Sequence, residues 1–82
     1  MDILKHSYRK KGQIECWFDD FPHSPAILTP IRQYYFVRYV KWSQHDPPVT
    51  RKDLEEMEIL VNTLLGTLQD YRKRKAYKSP LS

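Results

Sequence analysis

Cys16, His6, His23 and His45 are the side chains of this chain best suited to nucleophilic or metal chemistry. A catalytic thiol needs a base within reach, and a zinc site needs thiolates or imidazoles at set spacings. The spacings here match no zinc signature, and a lone cysteine cannot build a four-cysteine site. Pairing Cys16 with His23 or His45 would depend wholly on the fold, and Cys16 itself sits where a small core residue belongs. Asp19 and Asp20 are adjacent, so in extended backbone their carboxylates diverge, and they suit a loop better than a catalytic dyad. The two glycines, Gly12 and Gly66, stand far apart, which excludes a glycine-rich phosphate loop. The expectation is a protein that is not an enzyme: no catalytic residue, no metal, no cofactor and no small-molecule substrate.

The residues that remain suit binding. Arg9, Lys10 and Lys11 form one basic cluster; Arg72, Lys73, Arg74 and Lys75, with Lys78, put five bases in seven residues. Such clusters neutralise phosphates, and Tyr71, Tyr77 and Trp17 lie near enough in sequence to stack unpaired bases. Bases at a helix end also satisfy the helix dipole, and the same residues would serve as a localisation signal or a patch for an acidic partner. No zinc finger or RNP aromatic pattern is present. A formal net charge of +4 favours an anionic partner without identifying one. Trp17, Tyr34, Tyr39 and Trp42 are of the types found in binding hot spots, and with Ile59 they form the expected partner surface. The expected function is a small, dimeric interaction or regulatory protein acting on a protein partner. The alternative is a nucleic-acid-binding regulator using Arg9, Lys10, Lys11, Arg72, Lys73, Arg74 and Lys75.

The elements that must position these residues divide at the prolines. Ile14, Cys16 and Phe18 alternate with Gln13, Glu15 and Asp19, the period of a half-buried strand over 13–19. Gly12 reads as a turn, across which residues 3–8 pair with that strand. Residues 19–25, with Pro22 and Pro25, read as a loop. Residues 33–42 are nearly all aromatic or β-branched, which suits a central strand covered on both faces. The competing reading is a helix capped by Thr29, with Pro30 at its first position.

Asp46-Pro47-Pro48 is a firm stop, and a long helix then runs from Thr50 to Lys78. Thr50 is its N-cap, with Asp53 as a shortened capping-box partner. Leu54, Met57, Val61, Leu64, Leu68 and Tyr71 recur at steps of three and four, one seam on one helix face. Leu60 and Leu65 widen the seam beyond a zipper, as in a helix that packs on its own domain. Ile59 and Gly66 share the outer face, where a glycine would admit a second helix closely.

The fold class that follows is α+β: a small antiparallel sheet from the N-terminal half, covered by one long C-terminal amphipathic helix. Leu54, Met57, Leu60, Val61, Leu64, Leu65 and Leu68 would pack against Ile14, Phe18, Phe36 and Val40. The alternative is an all-α hairpin of 30–43 with 50–77. Eighty-two residues make a single small domain, 1–82, with 79–82 as a frayed tail. A chain of that size has a marginal core, and with no disulfide available a second subunit is the natural support. No apolar run spans a membrane, and residues 1–6 lack the apolar core of a secretory signal, so the expected setting is intracellular, cytoplasmic or nuclear.

Overall fold

The computed structural model describes residues 1–77, with side chains through Arg74. The side chains of Lys75 and Tyr77, together with Lys78 and the 79–82 tail, lie outside the described residues. Four strands, β1 (Ile3–Tyr8), β2 (Ile14–Phe18), β3 (Phe21–Ile31) and β4 (Tyr34–Val40), precede two helices, α1 (Arg51–Leu65) and α2 (Leu68–Tyr77). The strands form one antiparallel sheet in the order β1-β2-β3-β4. The α+β expectation holds, and the all-α alternative falls with β4, which forms ladder pairs where a helix would run. Among the described residues no helix is long and apolar enough to cross a membrane.

Alternation builds the core. Ile14, Cys16 and Phe18 are buried while Glu15 and Trp17 between them are half-buried. Phe21, Ala26 and Leu28 of β3 join them, and α1 closes the layer with Met57 and Val61. Leu54, Leu60 and Leu65 flank that cluster as expected, with Val37 and Val40 from β4. Leu64 does not: it stands 51% exposed. Phe36 lies on the other side of β4 from Val37 and packs on α2, its ring 5.7 Å from that of Tyr71.

The expected single helix is two. Gly66 takes φ 75°, and the chain leaves α1 through a Schellman motif. The Thr67 amide donates to the Asn62 carbonyl and the Gly66 amide to that of Thr63. A β-carbon on Gly66 would meet nothing within 4 Å, so this glycine serves the left-handed turn and not a close helix approach. The start of α1 follows expectation: Thr50 Oγ1 accepts from the Asp53 amide, and the Thr50 amide donates to the Asp53 carboxylate.

Two strand assignments also change. Residues 21–31, expected in part as a loop, form one of the two interior strands, and the 33–42 strand lies at the sheet's edge instead. The prolines fit because β3 departs from its neighbour between Phe21 and Ala26, opposite Trp17, where no ladder bond needs their missing N–H. Asp46, which is buried, holds this excursion: its carboxylate accepts from the His23 amide at 2.9 Å and the Ser24 hydroxyl at 2.6 Å. Ser24 Oγ in turn accepts from the Ser43 amide.

The edge position of β4 does not leave it open. Asn62 Oδ1 accepts from the Tyr35 amide at 2.8 Å, and Asn62 Nδ2 donates to the Tyr35 carbonyl at 2.9 Å. One turn earlier, Glu58 Oε2 accepts from the Val37 amide at 2.9 Å. Asn62 Nδ2 also donates to the Glu58 carbonyl, and Oδ1 accepts from the Thr67 hydroxyl. Every donor and acceptor of this buried amide is thus used. Asn62→Leu keeps the volume but strips both Tyr35 backbone groups of their partners, and urea denaturation is expected to show a loss of about 2–4 kcal/mol.

Candidate functional site

In the meander, β1 and β3 run one way and β2 and β4 the other. The β1–β2 and β3–β4 turns therefore share one end of the sheet, roughly 10 Å apart at two strand spacings. The first turn carries Arg9, Lys10 and Lys11; the second is Arg32-Gln33. A β-carbon on Gly12 would lie 3.5 Å from Pro30 Cγ, which confirms that the two turns are neighbours. Because Glu58 meets Val37 and Asn62 meets Tyr35, α1 runs antiparallel to β4 and finishes at this same end.

Tyr71 then sets the course of α2. Its ring is buried against Phe36, and its hydroxyl donates to Glu58 Oε1 at 2.7 Å. Burial, and then the Glu58 carboxylate, push the phenol far above its ordinary pKa, so it remains a donor. With Tyr71 fixed, Lys73 and Arg74 reach the β3–β4 turn. There they line a cleft of about 800 Å³ with Arg32, Gln33, Tyr34 and Asp70. Two basic clusters some 60 residues apart in sequence thus arrive, with Arg32 between them, at one end of the molecule.

The charges at this end are differently engaged. Arg9 pairs with Glu15 at 3.2 Å, and Glu15 also takes Lys41 at 3.2 Å. Lys10, Lys11, Arg32, Lys73 and Arg74 form no ion pair among the described residues. Arg72 is exposed beside them. The opposite end carries the β2–β3 turn, Asp19-Asp20, and Glu56, whose carboxylate lies 3.5 Å from the Met1 amine.

The aromatic candidates scatter. Trp17 is half-buried on the sheet face opposite Cys16, with Lys5 Nζ 4.5 Å from its ring centroid. Tyr39 is exposed. Tyr34 is buried, its ring edge-on to Phe36. Trp42 is 51% exposed, its indole N–H donating to the Pro47 carbonyl, and beside it Val40, Pro48 and Val49 line an apolar pocket of about 330 Å³. Ile59 is half-buried on α1. Sequence reading missed Arg32 and Gln33, because a two-residue turn without glycine or asparagine gives no punctuation to read, and Asp70, which lies on α2 beside the basic run.

The nucleophile and metal candidates stay apart. His23 and His45 stack edge-on at 5.6 Å on the Asp46 excursion. His6 lies opposite Cys16 in the ladder, but its ring packs on Tyr8. Among the described residues no three His, Cys, Asp or Glu side chains are grouped to hold a metal.

Fold and site together define a small α+β domain: a four-stranded antiparallel meander, two helices along one edge, and cations gathered at the turn end. Residues 2–76 match the sequence model of a family described as uncharacterised protein YuzH, and the chain belongs to that family. No curated protein and no solved structure matches it.

Burial pushes the Cys16 thiol up to about 12. An acid whose folded pKa is raised favours the fold fully below its unfolded pKa, near about 8.5 for cysteine, and that contribution is lost as pH climbs from there towards the folded value. The native protein at pH 8 is expected to leave Ellman's reagent unreacted, with colour developing only in denaturant.

Proposed function

We propose that this chain is a non-catalytic binding protein whose turn end engages the phosphates of a nucleic acid. The observation that carries this reading is the convergence of Lys10, Lys11, Arg32, Lys73 and Arg74 from three separate segments. None of the five is consumed by an ion pair among the described residues. A polyanion gains from such a surface by releasing its counterions, a contribution that needs no reading of base sequence. The helix dipole accounts for bases at the end of α2, but not for the cations in both hairpin turns beside it. An intracellular setting fits a chain whose one thiol is free.

The test is fluorescence anisotropy with labelled 20-residue oligonucleotides, single- and double-stranded, DNA and RNA. With three to five phosphate contacts, affinity is expected to fall roughly 40- to 500-fold for duplex DNA, and roughly 20- to 130-fold for single strands, between about 50 and 200 mM salt. No binding of any of these at the lower salt would remove the proposal.

A second reading is association with a protein, a second copy of the chain included. It is supported by the outer edge of β1, which is exposed from Leu4 to Tyr8 and has no partner strand among the described residues. The exposed Trp42 and its apolar pocket support it independently. Sedimentation velocity at micromolar concentration is expected to give twice the chain mass; a monomer at every concentration would end the self-association version.

A further inference from the structure

Among the described residues, two other than glycine hold positive φ: Lys11 at 62° and Arg32 at 59°. Both are cations, and each occupies one of the two hairpin turns at the basic end. A residue with a β-carbon is disfavoured in this region, and at such a turn position glycine, asparagine or aspartate relieves the cost. Strain that persists outside glycine points to function when something else at the site uses the side chain. At Arg32 something does. The cleft between the β3–β4 turn and α2 is lined by Arg32, Gln33, Tyr34, Asp70, Lys73 and Arg74. That is three cations against one carboxylate, with no ion pair among them.

We propose that this cleft is a phosphate-binding site, with Arg32 as its chief ligand. The planar guanidinium of Arg32 can hold two phosphate oxygens at once; Lys73 and Arg74 add charge from α2, and the Gln33 amide adds a neutral donor. Asp70 leaves the lining net positive and complements the dipole at the start of α2. The turn bears the left-handed conformation because glycine there would ease the backbone but remove the ligand. The phosphate group can come from a free nucleoside phosphate or from a polynucleotide backbone. The second source rests on the nucleic-acid reading above; the first does not.

The experiment combines ¹⁵N–¹H NMR titration with two variants. Inorganic pyrophosphate, adenosine triphosphate and a single-stranded oligothymidylate are titrated separately, and thermal melting is recorded for each protein. Amide shifts are expected to cluster at residues 31–34 and 70–74. Arg32→Gly is expected to melt a few degrees higher, because its turn is relaxed, and to bind about tenfold more weakly. Lys52→Ala removes the same charge at the start of α1, at the other end of the sheet, and is expected to change affinity by less than about twofold. Shifts scattered over all the basic residues, Arg32→Gly binding like the parent, or Lys52→Ala weakening binding equally would each overturn the site. Pyrophosphate and nucleotide binding without oligonucleotide binding would uphold the cleft and remove the nucleic-acid reading. Oligonucleotide binding untouched by Arg32→Gly would do the reverse.

Discussion

The outer edge of β4 would be a row of unpaired amides if α1 did not supply acceptors to it. Asn62 and Glu58, one helical turn apart, meet Tyr35 and Val37, alternate residues on the same strand edge. The match is one of pitch: a helical turn advances about 5.4 Å and two strand residues about 6.6 Å, close enough for side chains to absorb the difference. Hydrogen bonds to a charged acceptor contribute about 1.5–3 kcal/mol each, and here they also fix where the helix lies. Met57 and Val61 then fall on the core by consequence. The second carboxylate oxygen of Glu58 receives Tyr71, which carries α2 into place and with it Lys73 and Arg74. A single glutamate thus links the sheet edge, the first helix and the second.

Charge polarity has a different origin. It follows from the meander, in which alternate turns must lie at the same end. Cationic turns joining β1–β2 and β3–β4 therefore gather, and the acidic turn between β2 and β3 is sent to the other end. The net charge of +4 says nothing of this separation, because it sums over both ends. What a partner meets is the local field, which the topology arranges.

Much of the architecture was legible in the residues. The alternation of Ile14, Cys16 and Phe18, the turn at Gly12, the cap at Thr50 and the apolar seam of α1 each have one strong local cause. The failures share another cause. Proline reads as a breaker, yet Pro22 and Pro25 stand in an excursion of β3 whose His23 amide and Ser24 hydroxyl both donate to Asp46, 23 and 22 residues away. Gly66 reads as a weak helical residue because the apolar spacing continues past it to Leu68 and Tyr71; only the backbone geometry reveals a cap. The run from Tyr34 to Val40 reads as central because nearly every residue is aromatic or β-branched, but helices rather than further strands cover its Phe36 and Val37. Asn62 escaped notice since a polar residue beside an apolar seam is ordinarily a surface one. At the candidate site, the clusters themselves were evident, but their meeting was not. It depends on strand direction and on Tyr71, neither of which is a property of any local stretch.

The sealed flank of β4 has a bearing on assembly. A sheet with two open edges can add neighbours without limit, as filaments do. Among the described residues, Tyr35 and Val37 on the outer edge of β4 have partners in Asn62 and Glu58, whereas the outer edge of β1 has no partner strand. Pairing between two copies through it yields one continuous eight-stranded sheet whose two outermost strands are both β4. At each of those, Tyr35 and Val37 are already engaged by Asn62 and Glu58, which would disfavour a further strand there. The side chains that hold a helix in place within one molecule would thereby also cap any such pair.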